Sequence, residues 1–305
     1  MPQNRAMPDA DPLAHALSTI AADAVAQDYP SHALYVVATP IGNRADITVR
    51  ALACLARVDA VAAEDTRTTR ALLHHYGIDR PMIAAHRHNE AEAAAAIVAR
   101  IADGARVAFV SDAGTPGISD PGAKVARAVR DAGHRVIPIP GASALTAVIS
   151  AAGLADAPLT FVGFLPTKPA QVARRLEALV VANEHLVFYE APHRIVDTLT
   201  AMRDAFGASR FAVVAREVTK RFEAIHRASL GELVAWIVAD ADRQRGEFVV
   251  IVEASVDDVD PLVRALPVLE KLCAVLSVSE AASLAAELTG VSRKALYAEA
   301  LKRRK

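Results

Sequence analysis

From Ala33 to about residue 255, short β-branched apolar runs alternate with alanine-rich stretches of helical period. The runs Leu34–Ala38, Ala60–Ala63, Pro81–Ala85, Val107–Val110 and Arg135–Ile139 predict strands. The stretches between them, Ile47–Arg57, Thr68–Tyr76, Glu90–Ala102 and Ala123–Ala132, predict helices, with Gly77, Gly104 and Gly133 marking three of the ends. Strands that are apolar throughout and separated by helices imply a parallel sheet covered on both faces. A second series follows. Strands are predicted at Leu159–Phe164, His185–Tyr189, Phe211–Ala215 and Phe248–Val252, with one more expected over Glu223–Ala228. Its helices fall near Gln171–Val181, Ile195–Phe206 and Gly231–Ala239. The first half has no two-residue hairpin gaps, so the second sheet is expected to be the mixed one.

Ser143–Ala152 is an apolar helix that can serve as a hinge, Ser255–Pro261 is a linker, and 262–305 predicts three short helices. The fold class expected is therefore α/β, with two α/β domains over 32–142 and 143–255 and a ligand cleft between them. A floppy tail, 1–31, with a short helix around His15–Ala26, precedes them. The helical extension over 262–305 follows.

Composition narrows the function. With 305 residues the chain has room for two domains, and 53% hydrophobic residues supply their cores. A formal net charge of −1 excludes coating nucleic acid or membrane by bulk charge. Two cysteines, Cys54 and Cys273, make neither a disulfide framework nor a metal site. No run approaches the roughly 18 apolar residues of a membrane span, and acidic residues interrupt the start where a secretory signal needs an apolar core. A cytoplasmic protein is the expectation.

The polar and glycine-rich clusters each follow a predicted strand: TPIGN (39–43), EDTRTTR (64–70), SDAGTPGISDPG (111–122), PGAS (140–143), FLPTK (164–168), YEAPHR (189–194) and REVTKRFE (216–223). Strand carboxyl ends are where open α/β sheets bind ligands. None of these clusters is a dinucleotide fingerprint or a P-loop. The glycines and prolines of 111–122 make a turn of fixed shape that a ligand can approach closely.

In this order, LYVVATPIGNRADIT, AEDTRTTRALL, FVSDAGTPGISDPG, IPIPGASALTAVISAAGL, FVGFLP, LVFYEAPHRI, AREVTKRFE and GEFVVIVE resemble the ribosomal small-subunit methyltransferase I family of the tetrapyrrole methylase superfamily. The resemblance covers about 32–255, and TGVSRKALYAEAL is similar to that family's helical extension. It implies S-adenosylmethionine as methyl donor, a homodimer, and 2′-O-methylation of a cytidine in the decoding region of 16S rRNA. Carried over by position, the methyl donor's cradle comprises Ile41, Gly42, Ala113, Gly114, Thr115, Ile118, Ser143 and Ala144, with Glu190 and Glu217 from the second domain. Two positions depart from the wider superfamily, which commonly carries Gly-Asp-Pro at Gly114-Thr115-Pro116 and Met at Glu190. Both departures argue against a porphyrinoid acceptor. The competing readings are a tetrapyrrole methylase and a non-catalytic RNA-binding assembly factor of the same fold.

Methyl transfer from a sulfonium needs alignment and dehydration but no metal. A base or cation near the acceptor hydroxyl assists it. Asp65, Glu190 and Lys220 are the catalytic candidates, with Glu64, His193 and Glu217 in the wider pool; no residue stands out as a general base. Against these roles stand helix capping for Asp65 and His193 and a phosphate contact for Lys220.

The charge is unevenly spread: residues 193–227 carry seven basic against four acidic residues, and 264–305 carry eight against four. Arg194, Arg216, Lys220, Arg221, Arg293 and Lys294 are the RNA-contact candidates on those segments. The partner expected is 16S rRNA or the small ribosomal subunit. His74–His75 and His86–His88 lack partners at metal spacing, so no metal is expected.

Overall fold

A computed structural model describes residues 11–86, 88–180, 183–254 and 261–303. The chain forms two compact units. The first comprises residues up to Gly153 together with Ala215–His226 and Gly246–Val249, and the second comprises the remainder.

The first unit opens with helix α1 (Pro12–Ala26), capped by Asp11, whose carboxylate accepts from Leu13 N at 3.0 Å. The stretch expected to be a floppy tail is thus helical over these residues, while 1–10 lie outside the described residues. What fixes the helix is its C-terminal end. Ala24 and Tyr29 are buried, the Tyr29 hydroxyl donates to Ala24 O at 3.1 Å, and Arg57 lies over the Tyr29 ring while donating to Val25 O.

Then come β1 (Ala33–Val37), α2 (Val49–Leu55), β2 (Ala60–Ala63), α3 (Thr66–His75), β3 (Met82–Ala84), α4 (Glu90–Ala102), β4 (Arg106–Val110), α5 (Ala123–Asp131), β5 (Arg135–Ile139) and α6 (Ala144–Ala151). The strands form one parallel sheet in the order β3-β2-β4-β1-β5. Alternate residues feed two cores. Tyr35, Val61 and Ala108 face one, while Leu34, Ala62 and Phe109 face the other. Full burial of such a side chain contributes about 1.5–3 kcal/mol, and both faces require it, which is why the strands read as continuous apolar runs. Because β4, β1 and β5 are adjacent, the loops that follow them emerge side by side.

The later elements are β6 (Leu159–Phe164), α7 (Pro169–Glu177), β7 (His185–Glu190), α8 (Ile195–Phe206), β8 (Phe211–Arg216), β9 (Ala224–Ser229), α9 (Leu230–Val238) and β10 (Phe248–Val252). They form a sheet of order β6-β7-β10-β8-β9. β6 and β7 run parallel. β8 runs antiparallel to β10, since Glu253 N donates to Phe211 O and Glu217 N to Glu247 O, so this sheet is mixed. The buried Glu253 carboxylate takes a two-pronged contact from Arg227 at 2.6 and 2.9 Å.

The extension is α10 (Pro261–Cys273), α11 (Val278–Thr289) and α12 (Arg293–Arg303). Ser277 and Glu280 form a reciprocal capping box at α11, and Gly290 ends that helix in the left-handed conformation. Ala265, Leu269, Ala281, Ala282, Ala285, Leu296 and Ala300 give the three helices a core of their own. Of the expected linker Ser255–Pro261, residues 255–260 lie outside the described residues and Pro261 instead opens α10; the basic end at 304–305 also lies outside them.

Candidate active site

Three loops of the first unit are tied into one surface. Thr39, directly after β1, exchanges two backbone hydrogen bonds with Gly114, each 3.0 Å long. Its hydroxyl donates to Ser111 O at 3.2 Å. Gly114 has φ +74, and a Cβ there would press on Ile41 Cγ2 at 3.2 Å and approach Ala142 O at 3.7 Å. This one position therefore meets the loops after both β1 and β5. Thr115 closes the triangle, its hydroxyl donating to Ala142 O at 3.1 Å. Ile41, Gly114, Thr115 and the Ala142–Ala144 turn are thus brought together, with Ala113 and Ile118 on the same 111–122 loop. Ile118 is exposed.

Beside this junction is a depression of about 420 Å³ whose wall includes Ile41, Asp46, Gly141, Ala142, Ser143 and Thr219. Ser143 occupies the N-cap position of α6, yet its hydroxyl makes no capping bond. Asp46 Oδ2 is buried and takes no hydrogen bond among the described residues. A buried carboxylate oxygen without a donor is costly, so a ligand bringing an ammonium or hydroxyl group fits this wall.

The segment after β8 belongs to the same unit. Thr219 Oγ1 accepts from Asn43 N at 3.2 Å. The Lys220 stem crosses Gly42 so closely that a Cβ there would lie 2.8 Å from Lys220 Cε and 3.1 Å from Cδ. The ammonium ends between Glu217 and Glu247, 2.8 Å from each. Glu217 and Thr219 hold φ +51 and +68, conformations that L side chains rarely adopt. Burial pushes the Lys220 pKa down, but its two carboxylate partners outweigh that and raise it. Lys220 therefore acts as a cation and not as a proton acceptor. For Glu217, burial raises the pKa, and the bonds from Lys220 and the Glu247 backbone turn the balance downward.

The remaining candidates are placed as follows. Asp65 caps α3, accepting from Arg67 N at 2.8 Å and pairing with the Arg67 guanidinium at 3.0 Å. The hydrogen bonds from Arg67 hold its pKa at about 2, so it is a feeble base. Asp65 N also donates to Asp112 Oδ1, which joins that turn to the 111–122 loop. Glu190 belongs to the second unit, is buried, and accepts from Thr198 Oγ1 at 2.6 Å and Ala191 N at 2.8 Å. Arg194 pairs with Glu190 and donates to Leu165 O and Pro166 O, so its charge is spent inside the second unit. Arg216 is half-buried at the end of β8. Arg221 is exposed over the Phe222 ring. Arg293 donates to Ser279 Oγ at 3.1 Å, and Lys294 is exposed beside it.

Asp46, Thr219 and Glu247 escape a reading of the sequence alone. Asp46 lies in the ADIT stretch and Glu247 in GEFVVIVE, but nothing in the spacing singles them out. Among the described residues no cluster of His, Cys, Asp or Glu is arranged to hold a metal ion, and no helix is long and apolar enough to cross a membrane.

Fold and loops together define a methylase of the tetrapyrrole class. The family model for tetrapyrrole (corrin/porphyrin) methylases matches residues 33–234, and that for the RsmI C-terminal HTH domain matches 257–304. The solved structures of the methyltransferase CobJ (TM-score 0.54, 21% identity, 73% of this chain and 94% of that one) and of cobalt precorrin-4 methyltransferase CbiF (0.55, 16%, 72% and 95%) share the fold. The ribosomal RNA small subunit methyltransferase I of Pseudomonas aeruginosa is 48% identical over 273 residues, covering 88% of this chain and 97% of that protein. The protein of that name from Escherichia coli O157:H7 is 47% identical over 269 residues, covering 88% and 94%. The chain belongs to the ribosomal RNA small subunit methyltransferase I family.

Proposed function

We propose that this chain transfers a methyl group from S-adenosylmethionine to the ribose 2′-hydroxyl of a cytidine in the decoding region of 16S rRNA. The carrying observation is the junction of Ile41, Gly114 and Ala142 beside a depression that holds the unpartnered Asp46 oxygen. When bound, S-adenosylmethionine supplies a methyl group already activated on a sulfonium sulfur. Ile41, Gly114, Thr115, Ser143 and Ala144 would hold it, joined by Gly42, Ala113 and Ile118 from the same loops. Asp46 Oδ2 and Ser143 Oγ offer hydrogen bonds to its polar groups. Glu217 enters through Lys220, not as a direct contact.

The chain's own task is then to align the acceptor hydroxyl and stabilise charge on it. Lys220 commits two of its three N–H donors to Glu217 and Glu247, leaving one for an RNA phosphate or the acceptor oxygen. Arg221, Arg293 and Lys294 are exposed cations suited to phosphate contacts. The enzyme would work in the cytoplasm as a homodimer.

The test is transfer of labelled methyl to small subunits lacking the modification, to free rRNA and to a porphyrinoid, with oligomeric state read by sedimentation. Label in rRNA is expected. Label in the porphyrinoid alone would identify a tetrapyrrole methylase, and RNA binding without transfer would identify an assembly factor.

A further inference from the structure

The second unit carries an aromatic cluster that the methyl-donor site does not use. β6 and β7 pair in register from Leu159–His185 to Phe161–Val187, and the pairing then skips Val162 and resumes as Gly163–Phe188 and Phe164–Tyr189. Residues three apart on a regular strand face opposite sides. The extra residue at Val162, followed by Gly163 at φ +74, turns Phe164 onto the face already occupied by Phe161 and Tyr189. Such bulges are rare between parallel strands and re-aim side chains next to functional sites. The next residue along, Glu190, bonds Thr198 of α8, so α8 covers the opposite face and the three rings point away from it.

Tyr189 stands edge-on to both neighbours, 5.0 Å from Phe161 at 69° and 5.7 Å from Phe164 at 70°. It braces the pair, and Phe164 remains 54% exposed. A single exposed apolar side chain is ordinary, but here a register shift is spent on exposing an aromatic ring that its neighbours brace. The loop that follows is stiffened by Arg194, which donates to Leu165 O and Pro166 O. That loop presents Lys168, and the adjoining turn after β7 presents His193.

We propose that Phe164, braced by Tyr189 and Phe161, is a stacking platform for a base of single-stranded RNA, with Lys168, exposed on the loop that follows it, for the neighbouring phosphate. This rests on the reading that the acceptor is RNA. An exposed ring next to a cation is the arrangement by which proteins hold unpaired bases. The alternative occupant, a second copy of the chain, needs about 800 Å² of surface on each partner, whereas Thr167 and Lys168 on the loop after β6 and His193 on the turn after β7 are exposed and polar and do not extend the rings into an apolar surface.

The experiment measures full-length protein by fluorescence anisotropy against a labelled 12-mer of cytidylate and an abasic strand of equal length. Wild type should prefer the cytidylate strand. Phe164→Ala should weaken it by about 5- to 150-fold, the range for removing one stacked ring, and leave the abasic strand unaffected. Phe164→Trp should retain the preference. Equal binding of cytidylate by wild type and Phe164→Ala, no preference in wild type, or equal losses on both strands would overturn the platform. So would a shift of Phe164→Ala to a smaller species in sedimentation, which would assign these rings to an interface between copies. Failure of methyl transfer with the strand preference intact would count against the enzymatic reading alone.

Discussion

The aliphatic stem of Lys220 lies directly over Gly42, occupying the space that a side chain there would need. The glycine of TPIGN is therefore required by a lysine 178 positions further along the chain. Gly42→Ala should destabilise the protein by about 1–3 kcal/mol, as overpacking does. Lys220→Ala carries its own cost, because it strands Glu217 and Glu247. The double variant should lose less than the sum of the two, since removing the stem relieves the clash. Urea unfolding of all four proteins checks this; strict additivity would mean that Gly42 is glycine for another reason.

Glu90 fixes the exit of the 111–122 loop. Its buried carboxylate accepts from Gly122 N at 3.0 Å and Lys124 N at 3.4 Å and pairs with Lys124 Nζ at 3.3 Å. Glu90→Ala leaves a buried N–H unpaired and should cost about 1–3 kcal/mol. Burial raises the Glu90 pKa, and these bonds more than offset it, so the folded value lies below the ordinary 4.5. A depressed pKa means that the stabilisation is complete above the ordinary value and disappears as pH falls through the folded value. The wild-type advantage over Glu90→Gln should shrink in acid and stay flat from about pH 6 to 8 in thermal melts at stepped pH.

Most of this architecture is legible in the sequence, because local signals and packing agree. The three central strands of the first sheet, β2, β4 and β1, are buried on both faces and read as apolar runs, and the structure gives Asp65 the capping role that stood against its catalytic one. The loops that meet at Gly114 are legible as ligand-loop candidates because each follows a strand. Long-range pairings are not. Nothing local says that Glu217 pairs with Glu247, or that Thr219 and Lys220 meet Asn43 and Gly42 of the first unit. Gly42 reads as room for a ligand until Lys220 is seen above it. Gly163 reads as an ordinary strand residue until the register shift emerges. Arg194 counts as positive charge in a sum over residues, but its guanidinium is held by two carbonyls and a carboxylate.

The two cysteines should behave differently. Cys54 is fully buried, and burial pushes its thiol up to about 12, so it is both shielded and protonated. Cys273 is half-buried in the extension. Titration of native protein with an aromatic disulfide reagent should detect one equivalent of thiol, with the second emerging only in denaturant. Two equivalents under native conditions would contradict this packing.

The helical extension has its own core, so deleting 261–305 should leave the remainder folded and able to bind S-adenosylmethionine. RNA affinity should fall, and its salt dependence should flatten by roughly 0.7–0.9 log unit for each phosphate that the extension neutralises. Arg293 and Lys294 lie at the start of α12, where the helix dipole disfavours cations; a bound RNA phosphate would offset that cost. Filter binding across a salt series checks it; an unchanged slope in a folded truncation would leave the extension a packing element.

The most direct test of the enzymatic reading is nucleoside mass spectrometry of small-subunit rRNA treated with the purified chain and methyl-deuterated S-adenosylmethionine. The expected product is a labelled cytidine whose extra mass stays with the ribose fragment when the glycosidic bond breaks. Label on the base, on another nucleoside, or nowhere in the rRNA would contradict the assignment.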